Sequence, residues 1–266
     1  GPARSFLLVT IDTLRADRVG AYGHAAARTP AFDAIAREGT RFARAFAPAP
    51  ITLPSHAALL TGRYPPGHAS RHNGMRARDG LPTLASHLRA RGLATAAFVS
   101  AFPLDSRFGL AAGFDTYDAR LPRGVDGRPL NERPGRDTVD AALAWLESHR
   151  GQPFFLWVHL FEPHAPYETR EGAPAGAPAE ARYDAEIAEA DRQVQRLLDG
   201  LGAAASSTLV AITSDHGEAF GEHGEVGHSV FVYDTTLQVP LSLAGPGVPR
   251  GLVHATPMSL ADLAPT

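Results

Sequence analysis

The chain of 266 residues has no cysteine, no lysine, only two tryptophans and two methionines, and no long hydrophobic run. Without cysteine there can be no disulfide, no thiolate nucleophile and no cysteine-ligated zinc. This suits either side of a bacterial membrane. No apolar stretch approaches the ~20 residues of a transmembrane helix, and no signal-peptide pattern is present. All 25 basic residues are therefore arginine, in a chain rich in Ala, Gly and Pro. That bias reads as a GC-rich genome, although arginine can grip an oxyanion in a bidentate way that lysine cannot. The net charge of -3 gives no field that would draw nucleic acid or an acidic membrane surface.

What is present is enough apolar material for one large core: 44% of residues are hydrophobic and 20% charged. Apolar, β-branched runs at 6–11, 95–100, 154–160, 208–213 and 238–243 read as strands. They alternate with helical stretches at 29–38, 83–91, 138–149, 183–201 and 259–263. This alternation predicts an α/β fold, a largely parallel sheet covered on both faces, as one domain over 1–266. Segments 121–136 and 171–180 are rich in Pro and Gly and read as surface loops. Gly1-Pro2 reads as a leftover tag, and Ala264-Pro265-Thr266 breaks off inside a helical pattern. The chain is therefore expected to be part of a longer protein, with an extracytoplasmic location favoured.

The stretch Thr213-Ser214-Asp215-His216-Gly217-Glu218 puts a carboxylate and an imidazole side by side where an apolar strand ends. Strand neighbours point to opposite faces, so two of them serve one centre only where the backbone turns, and Gly217 permits a turn. Asp12 ends the run Phe6–Ile11 in the same way. Oxygen and nitrogen donors at two strand ends suggest a metal site at the carboxyl edge of the sheet, where such folds keep their ligands. The plainer reading is that both aspartates cap the helices that follow. Thr52-Leu53-Pro54-Ser55-His56 opens a short helix, where a hydroxyl lies near unpaired backbone donors. There too, Thr52 or Ser55 as a simple cap is the plainer reading.

These segments together resemble the sulfatase family within the alkaline phosphatase superfamily. The match is carried by Val9-Thr10-Ile11-Asp12-Thr13-Leu14-Arg15, by Thr52-x-Pro54-Ser55-His56 with Leu60-Thr61-Gly62, and by Ser214-Asp215-His216-Gly217-Glu218. It extends to Thr29-Pro30-x-Phe32-Asp33, to His159-x-x-Glu162-Pro163-His164-x-Pro166-Tyr167, and to His228 before Tyr233-Asp234 and Val239-Pro240. The resemblance implies a three-layer α/β/α sandwich of alkaline phosphatase type. It also marks departures. Sulfatases carry at the Thr52 position a Cys or Ser that is oxidised to formylglycine, and threonine cannot yield that aldehyde because its β-carbon bears a methyl group. They also carry Arg where this chain has His56 and a second Asp where it has Thr13. Threonine at the nucleophile position resembles the phosphodiesterases and phosphotransferases of the superfamily.

The resemblance thus implies that Asp12, Asp215 and His216 hold a divalent cation that also touches the Thr52 oxygen. Thr52 would attack a phosphate or phosphonate ester, a sulfate ester being the alternative, while His164 and His228 protonate the leaving group or contact the phosphoryl oxygens. Glu162 could join His164 and His228 around a second ion. Zn2+ or Mn2+ suits this mixed donor set, with Ca2+, which the sulfatase likeness implies, as the alternative. His56, Arg71 and Asn73 are candidate substrate contacts. His159 reads as a core histidine, His223 as a loop residue, and Arg15 and Arg18 as ion-pair supports for the Asp12 loop. The walls of the pocket are expected from 102–113 and 171–180. The expected substrate is a small-molecule, glycan or lipid ester; neither nucleic acid nor an oligomeric state is implied. A phosphotransferase and an inert anion-binding module are the competing functions.

Overall fold

The computed structural model describes residues 2–167, 173 and 176–265. Its elements run β1 (Ser5–Ile11), α1 (Pro30–Glu38), β2 (Thr40–Phe46), α2 (Thr52–Thr61), the one-turn α3 (Pro65–His68), α4 (Leu84–Ala90), β3 (Ala94–Phe98), β4 (Thr116–Asp118) and α5 (Gly135–Ser148). They continue with β5 (Phe154–Leu160), α6 (Ala179–Gly200), β6 (Thr208–Ser214), the hairpin β7 (Ala219–Phe220) and β8 (Val226–Gly227), then α7 (Asp234–Leu237), β9 (Gln238–Ala244), β10 (Leu252–His254) and β11 (Met258–Ser259).

The main sheet has the order β10-β2-β9-β6-β1-β5-β3-β4, with β11 also pairing β2. From β6 to β4 every neighbour is parallel. The continuous apolar character of β1 follows from cover on both faces. Leu7, Val9 and Ile11 enter a core with Phe32 of α1, Val139 of α5 and Ile187 of α6. Leu8 enters a second core with Leu53 and Leu59 of α2 and Trp157 of β5. The result is the expected α/β/α sandwich, with α1, α5 and α6 on one face and α2 and α4 on the other. Among the described residues no helix is long and apolar enough to cross a membrane.

The departures from the sequence reading sit at the margins. β9 runs antiparallel to both β6 and β2, so the sheet is mixed at one side. Strand β2, Thr-Arg-Phe-Ala-Arg-Ala-Phe, is only partly buried. It therefore carries arginines instead of the apolar run that marks a central strand. Residues 259–263 were expected as a helix. They form the end of β11 and a single 3-10 turn, which a capping box opens: the Ser259 hydroxyl accepts from Ala261 N and Asp262 accepts from Ser259 N. Helix α6 begins at Ala179, four residues earlier than its apolar stripe, with Glu180 in its first turn.

The turn α3 under α2 carries a buried histidine with a consequence for stability. His68 is fully buried, its Nδ1 accepts from Ser70 N at 3.2 Å, and burial holds its pKa down at about 4. An unfolded histidine titrates near 6.5, so between those values the unfolded chain binds more protons than the folded one. This contribution is whole above pH ~6.5 and is lost as pH falls toward ~4. Replacing His68 by glutamine is expected to flatten the dependence of stability on pH across that window by close to one proton. Urea denaturation at a series of pH values reads it out, and an unchanged slope would contradict it.

Candidate active site

The parallel register builds the site. Pairing of Ile11 with Ser214 ends β1 and β6 side by side, so the next residues, Asp12 and Asp215, emerge as neighbours at the carboxyl edge of the sheet. Both are buried, at 1% and 0% exposure, and His216 follows at 0%. His216 Nε2 lies 3.6 Å from Asp12 Oδ1, 3.5 Å from Asp215 Oδ2 and 3.4 Å from Thr52 Oγ1. Its other ring nitrogen donates to the Gly217 carbonyl at 3.0 Å. Nε2 therefore presents a lone pair, not a proton, to the two carboxylates.

Asp12, Asp215 and His216 form a buried cluster that could hold a cation. Neither Asp12 oxygen has a hydrogen-bond partner, and neither has Asp215 Oδ2. Asp215 Oδ1 is held by the amides of His216 at 2.9 Å and Thr13 at 3.3 Å. Burial and then the charge of Asp12 push the Asp215 carboxyl above the usual range, while burial and the neighbouring His228 hold His216 down at about 3. Ligand bonds of about 2.1 Å in a tetrahedron give donor-to-donor edges of about 3.4 Å. The separations of 3.4 to 3.6 Å around His216 Nε2 match, so the residues fit a divalent ion.

The capping readings fail on geometry. The N-cap of α2 is Ile51, with no side-chain cap bond. Thr52 Oγ1 turns to His216 instead, and Ser55 Oγ donates to the Asp215 carbonyl at 2.6 Å. The segment around Asp12 is set by Thr13 in the left-handed region, φ 55°, an unfavourable place for a β-branched residue. It is held by Tyr183 of α6, whose hydroxyl donates to Thr13 O at 2.7 Å and accepts from Arg15 N at 2.9 Å. Tyr183→Phe leaves those two buried groups unpaired and is expected to cost about 1–3 kcal/mol, measured by chemical denaturation; a loss within error of zero would contradict the role. Arg15 pairs with Asp17 and Glu222, and Arg18 with Glu180 and Asp184. Gly217 is required less for its dihedrals than for space, since a Cβ there would lie 2.1 Å from Thr235 O.

Across from Thr52, the His228 ring lies 4.4 Å from that of His216 and 5.1 Å from that of His164. Glu218, buried at 1%, accepts from His228 Nδ1 at 3.0 Å and from the Tyr167 hydroxyl at 3.0 Å. Burial alone would lower the His228 pKa, but the Glu218 carboxylate outweighs it and raises it. Glu218 had no assigned role in the sequence reading; its place beside a strand-end Asp-His pair was the available signal.

Four candidates stand elsewhere than expected. Glu162 joins no metal-type cluster among the described residues: both its oxygens lie 3.1 Å from Gly135 N, in the first turn of α5. Asn73 caps α2, accepting from Leu53 N at 2.9 Å, and Arg71 is exposed. His56 is fully buried instead of facing substrate. Trp157 Nε1 donates to Thr10 Oγ1 at 2.9 Å, Thr10 lies 3.0 Å from His56 Nε2, and His56 Nδ1 lies 2.8 Å from Thr52 O. His159, read as a core histidine, is buried but places Nε2 3.4 Å from Asp12 Oδ2. Burial holds both His56 and His159 at about 4. Segment 102–113 buries Leu104, Phe108 and Leu110 in the core on the α2 side. Residues 171, 172, 174 and 175 of the segment 171–180 lie outside the described residues.

The sequence profile named Sulfatase matches residues 4–266. The whole chain aligns with the steryl-sulfatase of Mus musculus at 28% identity, covering 62% of that protein. It aligns over 95% of its length with the human iduronate 2-sulfatase at 26% identity, again covering 62%. The chain thus spans less than two thirds of the length of these relatives. Among solved structures, the phosphonate monoester hydrolase of Agrobacterium radiobacter superposes with a TM-score of 0.79 at 23% identity, over 98% of this chain and 72% of that one. A 2-O GAG sulfatase gives 0.79 at 22% identity, over 99% and 71%. These structural likenesses establish the fold, and the profile match establishes the lineage: the chain belongs to the sulfatase family.

Proposed function

We propose that this chain is the catalytic part of a metal-dependent hydrolase that cleaves a phosphate or phosphonate ester with Thr52 as nucleophile. The observation that carries the reading is the 3.4 Å separation of Thr52 Oγ1 from His216 Nε2, whose lone pair also faces two unpaired carboxylate oxygens. A divalent cation there lowers the pKa of a neighbouring hydroxyl and neutralises phosphoryl charge. Two carboxylates, an imidazole and a hydroxyl suit Zn2+ or Mn2+ better than Ca2+, which prefers a larger all-oxygen shell.

Asp12, Asp215 and His216 would hold the ion. Thr52 Oγ1 gives its proton to solvent and attacks phosphorus in line as the ester P–O bond breaks; water, passing one proton to His228, then displaces the Thr52 oxygen, which takes a proton back from solvent. His228, held by Glu218 and carrying the raised pKa, gives its proton to the leaving oxygen, and His164 completes that rim. A cavity of about 310 Å³ lined by Leu130, Arg133, Phe161, His164 and Pro166 lies beside it and has room for the leaving alcohol. A nucleophile position that cannot become formylglycine supports this ester class over a sulfate ester.

The test is an activity panel of aryl sulfate, phosphate monoester, phosphodiester and phosphonate ester with Zn2+, Mn2+ or Ca2+, followed by mass spectrometry of quenched enzyme. The expected result is turnover of phosphorus esters with Zn2+ or Mn2+ and a phosphoryl adduct on Thr52. Turnover of aryl sulfate alone, or an adduct elsewhere, would overturn it.

A further inference from the structure

The two carboxylates have a second side. We infer that Asp12, Asp215, His56 and His159 bind a second divalent ion of the Zn2+ or Mn2+ class, on the α2 side of the first and joined to it through both carboxylates. This rests on the cation reading of Asp12, Asp215 and His216 and extends it.

The strand register sets up the cluster. Thr10 pairs with His159 across β1 and β5, and Asp12 lies two residues beyond Thr10 on the same face. Trp157, two residues before His159, packs in the core that holds α2, and α2 brings in His56. Asp12 divides its oxygens: Oδ1 lies 3.6 Å from His216 Nε2, and Oδ2 lies 3.4 Å from His159 Nε2. Asp215 Oδ2 is shared, 3.5 Å from His216 Nε2 and 3.6 Å from His56 Nδ1. One nitrogen each from His56 and His159 and an oxygen of Asp215 all lie within 4.8 Å of one another.

These separations exceed ordinary hydrogen bonds but match the ~3.4 Å edge of a tetrahedral site. Asp12 Oδ2, Asp215 Oδ2 and His159 Nε2 have no hydrogen-bond partner, in residues exposed by 1% or less. Buried polar atoms without partners are costly, and three of them converging on one point call for a ligand. Charge points the same way. Two carboxylates balance one dication, and an incoming phosphoryl group adds further negative charge. The chain has no lysine, and Arg15 is taken by Asp17 and Glu222.

Coordination requires a tautomer change with no net proton loss. The His56 proton, directed at Thr52 O at 2.8 Å, moves to Nε2, where Thr10 Oγ1 at 3.0 Å accepts it. His159 gives up the long 3.4 Å bond from Ser100 N and carries its proton on Nδ1.

The test uses the full chain, stripped with chelator and dialysed against Zn2+ or, separately, Mn2+. Elemental analysis is expected to give two ions per chain, and electron paramagnetic resonance of the Mn2+ form the spectrum of a spin-coupled pair. His159→Gln and the double variant His56→Gln/His159→Gln are expected to retain one ion and show isolated Mn2+, with folding checked by near-UV circular dichroism. One ion per chain in the parent protein, or two that persist in the double variant, would overturn the second site alone. No ion at all would overturn the first site as well. Where the double variant fails to fold, His159→Gln alone decides: loss of the coupled spectrum supports the site on the α2 side, and a coupled spectrum that persists overturns it.

Discussion

Thr52→Ala is expected to reduce turnover of a phosphorus ester by roughly 10^4-fold or more, the scale seen when a covalent nucleophile is removed. The structure separates this from a folding defect. Thr52 is buried at 2%, but its side chain does not cap α2, so the substitution removes a hydroxyl and a methyl and breaks no helix cap. Asp12, Asp215 and His216 remain, so bound metal is expected to stay near the parent level. Thr52→Ser keeps an oxygen at the same place and is expected to recover much of the rate. Steady-state kinetics with metal analysis on the same samples reads all three. Unchanged turnover in the alanine variant would remove Thr52 from the chemistry.

The second large effect concerns stability. Without a cation, the chain buries two neighbouring carboxylates and a lone pair directed at both. An ion present at about 100 times its dissociation constant contributes about 2.7 kcal/mol. At about 2–4 °C per kcal/mol for chains near this size, chelation is expected to lower the melting temperature by roughly 5–10 °C. In Asp215→Asn, chelator is expected to shift the melting temperature little and activity to be lost. Scanning calorimetry with and without EDTA checks this. An equal chelator shift in parent and variant would move the ion elsewhere.

The sequence made some parts of this protein easy to see and others hard, for physical reasons. Central strands such as Phe154–Leu160 are buried on both faces and announce themselves as apolar runs. Strand Thr40–Phe46 is only partly buried and keeps its arginines, so it carries no such signal. Asp12 and Asp215 were visible because each follows a central strand directly, and a parallel register aligns such ends. The approach of His56 and His159 to these carboxylates was not, because it depends on cross-strand pairing and on how α2 lies over the sheet. A fully buried histidine looks the same in sequence whether it faces a hydrocarbon core or a carboxylate. Glu162 shows the reverse case: a carboxylate beside His164 reads as a ligand, and only the fold brings the start of a helix distant in sequence against it.

The central claim is that a dication sits where β1, β6 and the start of α2 meet, in contact with the Thr52 oxygen. Anomalous diffraction from a crystal grown with Zn2+ measures this most directly. The account predicts a peak within about 2.2 Å of Asp12 Oδ1, Asp215 Oδ2, His216 Nε2 and Thr52 Oγ1. Full-occupancy zinc elsewhere, with Thr52 Oγ1 turned away from the carboxylates, would contradict it.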